Sequence, residues 1–189
     1  GAVVGGTALG LAAGYFRRLD APLMRLVDAM MSFPDILLAI ALVGILGASM
    51  LNVVLALVLV YTPRVARVVR ASTLVVRELA FVEAARALGA PTSRILWRHV
   101  LPNLVSPIMV QGSFIFAYAI LAEAALSFLG VGAPPTSPSL GTLIRIGNDY
   151  LFSGEWWITV FPGAMLVVIA LSVNLLGDWL RDALNPRLR

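Results

Sequence analysis

The chain has 189 residues, 60% of them hydrophobic and 13% charged, with a net charge of +4 and a mean hydropathy of +0.93. A soluble domain of this length carries about 25% charged residues, so the composition excludes a water-soluble globule and indicates a multi-span membrane protein. All fourteen basic residues are Arg, Cys is absent and His99 is the single histidine, which excludes a P-loop lysine, thiol chemistry, disulfides and Cys- or His-based metal centres.

Residues 1–16 form an apolar run that starts without Met and reads as a fragment lacking its N-terminus. Gly1, Gly5, Gly6, Gly10 and Gly14 recur at four-residue steps and predict a packing groove on one helix face. Arg17-Arg18-Leu19-Asp20 ends this span, and residues 21–32 are an amphipathic approach carrying Arg25 and Asp28. Phe33-Pro34 opens the next apolar run, to Leu46, with Pro34 in an early helical turn. A turn around Gly47 leads to a span over 51–61, which Pro63 is placed to kink. Arg64, Arg67 and Arg70 recur every three residues and so share a broad helix face. They read as a snorkelling interfacial collar, or, for Arg64, as an interior-facing charge.

The segment 80–101 is polar and Arg-rich within an apolar chain. Phe81, Ala84 or Ala85, and Leu88 predict one apolar face of a short helix, with Glu83 and Arg86 off that face. Gly89 suits a left-handed helix end and Pro91 the first turn of a second helix. Ile95, Leu96 and Trp97 are the bulky residues of that second helix, and Leu101-Pro102 is expected to break it and start the next span. The elbow so formed either docks in a partner's groove or lies on lipid headgroups. His99 reads as a structural or docking residue of the elbow.

A span follows over 103–129, then a loop, 131–155, containing Pro134-Pro135-Thr136-Ser137-Pro138 and a short apolar piece over 140–146. Trp156-Trp157 reads as an interfacial anchor, and 158–176 is the last span. Alternating the spans puts thirteen of the fourteen arginines on one side and Arg145 alone on the other. The positive-inside rule makes the arginine-rich side, with the elbow and the C-terminus, cytoplasmic. Gln111, Ser113, Tyr118 and Glu123 are the candidate residues of a translocation path or gate, with Ser127, Ser172 and Asn174 as further polar groups in the spans. Glu123 lies about 30 Å of helix beyond Pro102, near the outer surface, as an interfacial acid or a gate contact.

Glu83-Ala84-Ala85, then Gly89 after three residues and Leu101-Pro102 after eleven more, resemble the EAA motif of ABC importer permeases. More narrowly, the chain resembles the second (C-type) permease of the dipeptide/oligopeptide/nickel family. Arg25-Leu26-Val27-Asp28, Ser32-Phe33-Pro34, the Arg98–Asn103 stretch, the Glu123–Gly132 stretch, Asn174-Leu175-Leu176-Gly177-Asp178 and the closing residues 180–189 carry the likeness. His99 departs from the Ile of the general motif, and Leu140, Trp179 and Asn185 replace the family's common Trp, Gly and Asp.

The resemblance implies an all-α MetI-like ABC importer transmembrane domain spanning 1–189, with about five spans present and its N-terminal helix missing. Within it, 80–101 is the cytoplasmic coupling loop and 131–155 the extracytoplasmic loop. It implies a non-catalytic permease that moves di- or oligopeptides by alternating access, or alternatively nickel or another small solute. Glu83, Ala84, Ala85, Arg86, Gly89, Leu101 and Pro102 would form the ATPase-docking segment. The implied partners are a homologous permease in a heterodimer, two ATP-binding subunits that hold ATP and Mg, and an extracytoplasmic solute-binding protein. The chain itself would bind no cofactor, metal or nucleic acid, and it would sit in a bacterial or archaeal cytoplasmic membrane. An intramembrane enzyme would need a catalytic constellation that no spacing here suggests, and a passive channel would not need the elbow.

Overall fold

A computed structural model describes residues 1–134 and 137–184. Pro135 and Thr136 of the proline-rich stretch, the side chains of 180–184 and the tail 185–189 lie outside the described residues, so the expectations on them are not followed further. Every described element is helical: α1 (Ala2–Tyr15), α2 (Arg17–Met31), α3 (Asp35–Leu46), α4 (Met50–Val76), α5 (Ala80–Ala87), α6 (Thr92–Ile95), α7 (Leu101–Phe128), α8 (Leu140–Tyr150) and α9 (Trp157–Leu184). A π turn over Leu96–Val100 joins α6 to α7, and a 3₁₀ turn over Leu151–Ser153 follows α8.

Three helical stretches are long and apolar enough to cross a membrane: Met50–Val76, Thr92–Phe128 and Trp157–Trp179. A fourth is reached if α2 and α3 count as one broken span, while α1 is a shorter apolar helix. Two of the five expected spans, α1 and α3, are therefore only 14 and 12 residues long, short of the ~20 that a full crossing takes. The span expected over 51–61 extends through Pro63 to Val76 as one helix. Half of its apolar window is buried, against 6% of that of α9.

The chain divides into two compact units. In the first (Gly1–Ser32, Thr62–Gly112 and the chain from Gly177), α1 lies directly on α4. A Cβ built on Gly6 would sit 2.8 Å from the Thr62 carbonyl oxygen, one on Gly10 2.6 Å from that of Ala66, and one on Gly14 3.0 Å from that of Arg70. The expected groove is thus real, and Gly6, Gly10 and Gly14 are its floor. Gly5 meets only the Thr62 side chain, at 3.6 Å. Contacts advance in the same direction along both helices, from Thr62 and Val65 to Thr73, so α1 and α4 run parallel. Their C-terminal ends lie together, where Arg77 Nη1 donates to the Gly14 carbonyl at 2.6 Å.

Arg67 and Arg70 do not form the expected collar. Arg67 Nη2 pairs with Asp28 at 2.6 Å, and Arg70 forks onto Asp20, with Nη2 to Oδ2 at 2.7 Å. Both acids belong to α2, so charge on α4 secures a neighbouring helix instead of reaching for the headgroups. Periodicity along one helix could not reveal this, since the partner acids lie about forty to fifty residues earlier in the chain.

In the second unit (Phe33–Tyr61, Ser113–Leu176), α7 ends on Gly130 at φ +83, with Val131 N–H donating to the Leu126 carbonyl at 3.0 Å. Gly141 lets α8 approach the backbone of Ala124, where a Cβ would stand 2.3 Å from its carbonyl oxygen. Ser139 and Thr142 form a reciprocal capping box at the start of α8. Trp156 and Trp157 stack edge-on and remain half exposed, as interfacial anchors would.

Gly10→Ala is expected to lower the melting temperature of the detergent-purified protein, because α1 must lift off the Ala66 carbonyl, an overpacking cost of about 1–3 kcal/mol. Gly5→Ala, with room for its methyl and a gain of about 1 kcal/mol in helix propensity, should leave it unchanged or raise it. Identical melting of the two variants would remove the close approach as the organising contact.

Candidate docking elbow and membrane-embedded polar groups

The elbow over 80–101 is built from its own hydrogen bonds. Gly89 takes φ +75, a conformation costly for residues with a Cβ. Its N–H donates to the Arg86 carbonyl at 3.0 Å, and the Ala90 N–H to the Ala85 carbonyl at 3.1 Å. These are the two bonds of a Schellman ending, so α5 stops where the sequence predicts. No atom lies within 4 Å of a Cβ placed on Gly89. The glycine is therefore required by the turn itself and not by a neighbour.

The second helix starts one residue later than expected, with Pro91 as its N-cap and the Ile95 N–H bonded to the Pro91 carbonyl. Leu101-Pro102 does not break it. The chain continues as a helix from Thr92 to Phe128, with the π turn placed just before the proline. There the Leu101 N–H reaches back five residues to the Leu96 carbonyl. The wider turn makes room for the Pro102 ring, which would otherwise clash with the preceding turn. Asn103 Nδ2 donates to the His99 carbonyl at 2.7 Å, satisfying an acceptor at the irregular turn.

Val82, Ile95 and Val100 are fully buried and close the inside of the elbow. The predicted apolar face is present but turned outward: Phe81 is 43% exposed and Leu88 88%, with Ala84 also exposed. Trp97 adds to the exposed apolar surface at 72%. Phe81 stays partly engaged through the His99 ring, whose centroid lies 6.3 Å away, so His99 braces the two arms. Glu83 and Arg86 are exposed and form no ion pair among the described residues. Glu83 occupies the first turn of α5, where a carboxylate is favoured by the helix dipole. Leu101 is half-buried and Pro102 exposed, at the junction of elbow and span.

The candidate path residues are not gathered on one face. Gln111 belongs to the first unit. Ser113, Tyr118 and Glu123 follow at five-residue steps, about 140° apart on a regular helix. Glu123 is half-buried and accepts the Ser127 hydroxyl at 2.7 Å. Ser127 is itself buried and accepts the Ala133 N–H at 3.1 Å. A Cβ on Gly132 would fall 2.3 Å from the Ser127 hydroxyl, so the Glu123–Gly132 stretch folds into a tight corner that orients the carboxylate. Ser172 bonds back to the Val168 carbonyl at 2.7 Å, whereas the buried Asn174 Oδ1 has no partner among the described residues.

Tyr118 lines a largely apolar cavity of about 240 Å³ in the second unit, together with Asp35, Leu57, Tyr61, Leu121 and Leu126. The Tyr61 hydroxyl reaches the Tyr118 carbonyl at 3.5 Å. Spacing along the chain does not reveal Asp35 and Tyr61 as cavity residues, because the helices that carry them meet only in the fold.

Residues 6–189 match the family described as binding-protein-dependent transport system inner membrane component. A putative peptide transport system permease protein of Brucella suis is 52% identical over 97% of the chain and 62% of its own length. The dipeptide transport system permease protein DppC of Alkalihalophilus pseudofirmus is 43% identical over the whole chain and likewise 62% of its length. The chain thus spans about three-fifths of the relatives it matches. Among solved structures, an inward-facing MetNI methionine ABC transporter chain shares the fold, with a TM-score of 0.75 over 97% of this chain and 89% of that one, at 20% identity. The chain is an all-helical, MetI-like membrane protein and belongs to the family of binding-protein-dependent transport system inner membrane components.

Proposed function

We propose that the chain is the transmembrane permease subunit of an ATP-driven importer of di- and oligopeptides, working by alternating access with separate ATPase subunits. The outward-turned face of α5 is the observation that carries this reading. A short, rigidly capped helix presents Phe81, Ala84 and Leu88 away from its own protein, with Glu83 and Arg86 beside them. Small and apolar residues on a projecting helix suit insertion into a groove of another protein. A loop resting on its own protein would have buried them.

Peptide cargo is favoured over nickel because the relatives at 41–52% identity include a putative peptide permease, a dipeptide permease and a di/tripeptide permease. The parallel course of α1 and α4 supports placing the Arg17 turn on the same side as the elbow, and the arginine distribution makes that side cytoplasmic. A homologous permease completes the translocation path, a solute-binding protein delivers the peptide from outside, and ATP with Mg stays on the ATPases.

ATP drives the cycle only if the ATPases bind it more tightly in one conformation than in the other, and the elbow transmits that preference to the spans. The continuity of Thr92–Phe128 supports such transmission: the second arm of the elbow and the following span are one helix. No flexible joint at Leu101-Pro102 dissipates a displacement.

The chain has no Cys, so Ala84→Cys introduces a single thiol. In the assembled transporter this variant should cross-link to an ATPase subunit carrying a cysteine in its docking groove; a cross-link to lipid-facing probes alone would argue against docking. Gly89→Asp should reduce peptide uptake by at least about tenfold, the equivalent of losing roughly 1.4 kcal/mol of coupling, while ATP hydrolysis persists and the protein still inserts. Uptake at the wild-type rate by this variant would refute the coupling role. Glu83→Lys should uncouple in the same direction, in the same uptake and hydrolysis assays.

A further inference from the structure

We propose that α2 is an anionic-phospholipid docking surface, seated in the headgroup layer with Arg18 and Arg25 on lipid phosphates. This rests on the permease reading above and adds a partner to it. Four observations point to this occupant.

The first is the arrangement of charge. The two acids of α2, Asp20 and Asp28, are engaged by Arg70 and Arg67 of α4. Arg17, Arg18 and Arg25 form no ion pair among the described residues and are all exposed. Each acid of α2 is neutralised by an arginine of α4, Asp28 while remaining exposed, so the charge left unpaired on α2 is positive although the helix carries both signs.

The second is register. Arg18 and Arg25 are seven residues apart and so share one stripe, as do Leu19 and Leu26. The leucine stripe is one residue further on, about 100° around the helix, and its members are 44% and 57% exposed. An arginine stripe flanked by an apolar one, on a helix whose opposite side buries Val27, is the pattern of a helix lying in the interface plane.

The third is depth. Phe16, in extended conformation, joins the apolar α1 directly to α2. Tyr15 and Phe16 stack edge-on there, centroids 5.3 Å apart, with Phe16 41% exposed. Aromatic residues at the end of an apolar helix mark the headgroup level.

The fourth is complementarity. The cytoplasmic leaflet is the negatively charged one, and juxtamembrane arginines bind its lipids in proportion to their number. The guanidinium fork fits a phosphate, and the leucines beside it enter the acyl boundary. A protein partner would instead have to bury Arg18 and Arg25 with acids of its own.

The test uses the whole transporter, purified with its ATPase subunits and analysed by native mass spectrometry after equilibration with phosphatidylglycerol or phosphatidylcholine. Retention of phosphatidylglycerol should weaken about fivefold in Arg18→Gln and roughly thirtyfold in the Arg18→Gln/Arg25→Gln pair. Phosphatidylcholine retention and subunit composition should not change. The Arg18→Lys/Arg25→Lys protein should retain most of the effect, and added salt should abolish it. Unchanged phosphatidylglycerol retention in an intact complex would overturn the proposal. Loss of an ATPase subunit from the glutamine variant, with lipid retention unaltered, would overturn it too and assign α2 to a protein contact. Wild-type protein that purifies with no ATPase at all would count against the permease reading, leaving the lipid comparison to be made on the chain itself.

Discussion

The approach of α1 to the backbone of α4 is the constraint on which the rest of the first unit depends. In lipid, apolar side chains gain little by leaving the acyl chains for one another, so helices are held by dispersion at close range and by polar contacts. Gly6, Gly10 and Gly14 provide that range by removing the atoms that would hold the two axes apart. With α1 down on α4, its end falls within reach of Arg77, and α2, leaving α1 after a single residue, is carried alongside Arg67 and Arg70. Two arginines of α4, and Arg77 just beyond its end, thus find their acceptors because three glycines of α1 lack side chains.

These polar contacts differ in worth. The Arg67–Asp28 pair is more than half exposed on both sides, and such pairs contribute at most about 1 kcal/mol. The Arg70–Asp20 fork is less exposed and two-pronged, which fixes orientation as well as distance. Arg77 binds a helix-terminal carbonyl, one of the acceptors that an α-helix cannot satisfy internally. The two ion pairs orient α2 and the Arg77 bond holds the end of α1, while the glycine contact determines whether α2 is near enough to be oriented.

What could be read from the residues alone follows the range of the interactions. The glycine stripe and the end of α5 at Gly89 were legible, since each is a property of one helix and its local backbone. The outward turn of Phe81 and Leu88 was not, because helix periodicity defines a face but not its direction. Val82, between Phe81 and Glu83 in sequence, is the residue that turns inward. The π turn was hidden for a different reason: Pro102 can end a helix or be absorbed by a widened turn, and the local sequence does not choose between the two. Spacing places Glu123 near the outer surface, but its orientation comes from Ser127 and the corner at Gly132. Asp20 and Asp28 are partnered with residues too distant in the chain for spacing to show.

The self-sufficient ending of α5 bears on the rate and affinity of the docking proposed for it. Nothing packs against Gly89, and the turn is held by two main-chain hydrogen bonds of its own. The elbow therefore has its bent shape before any partner arrives. Binding to it needs no ordering of a loose segment, and that entropic cost is what weakens most loop-mediated contacts. In the docking role proposed for it, a preformed hook of this kind would favour rapid capture by its partner.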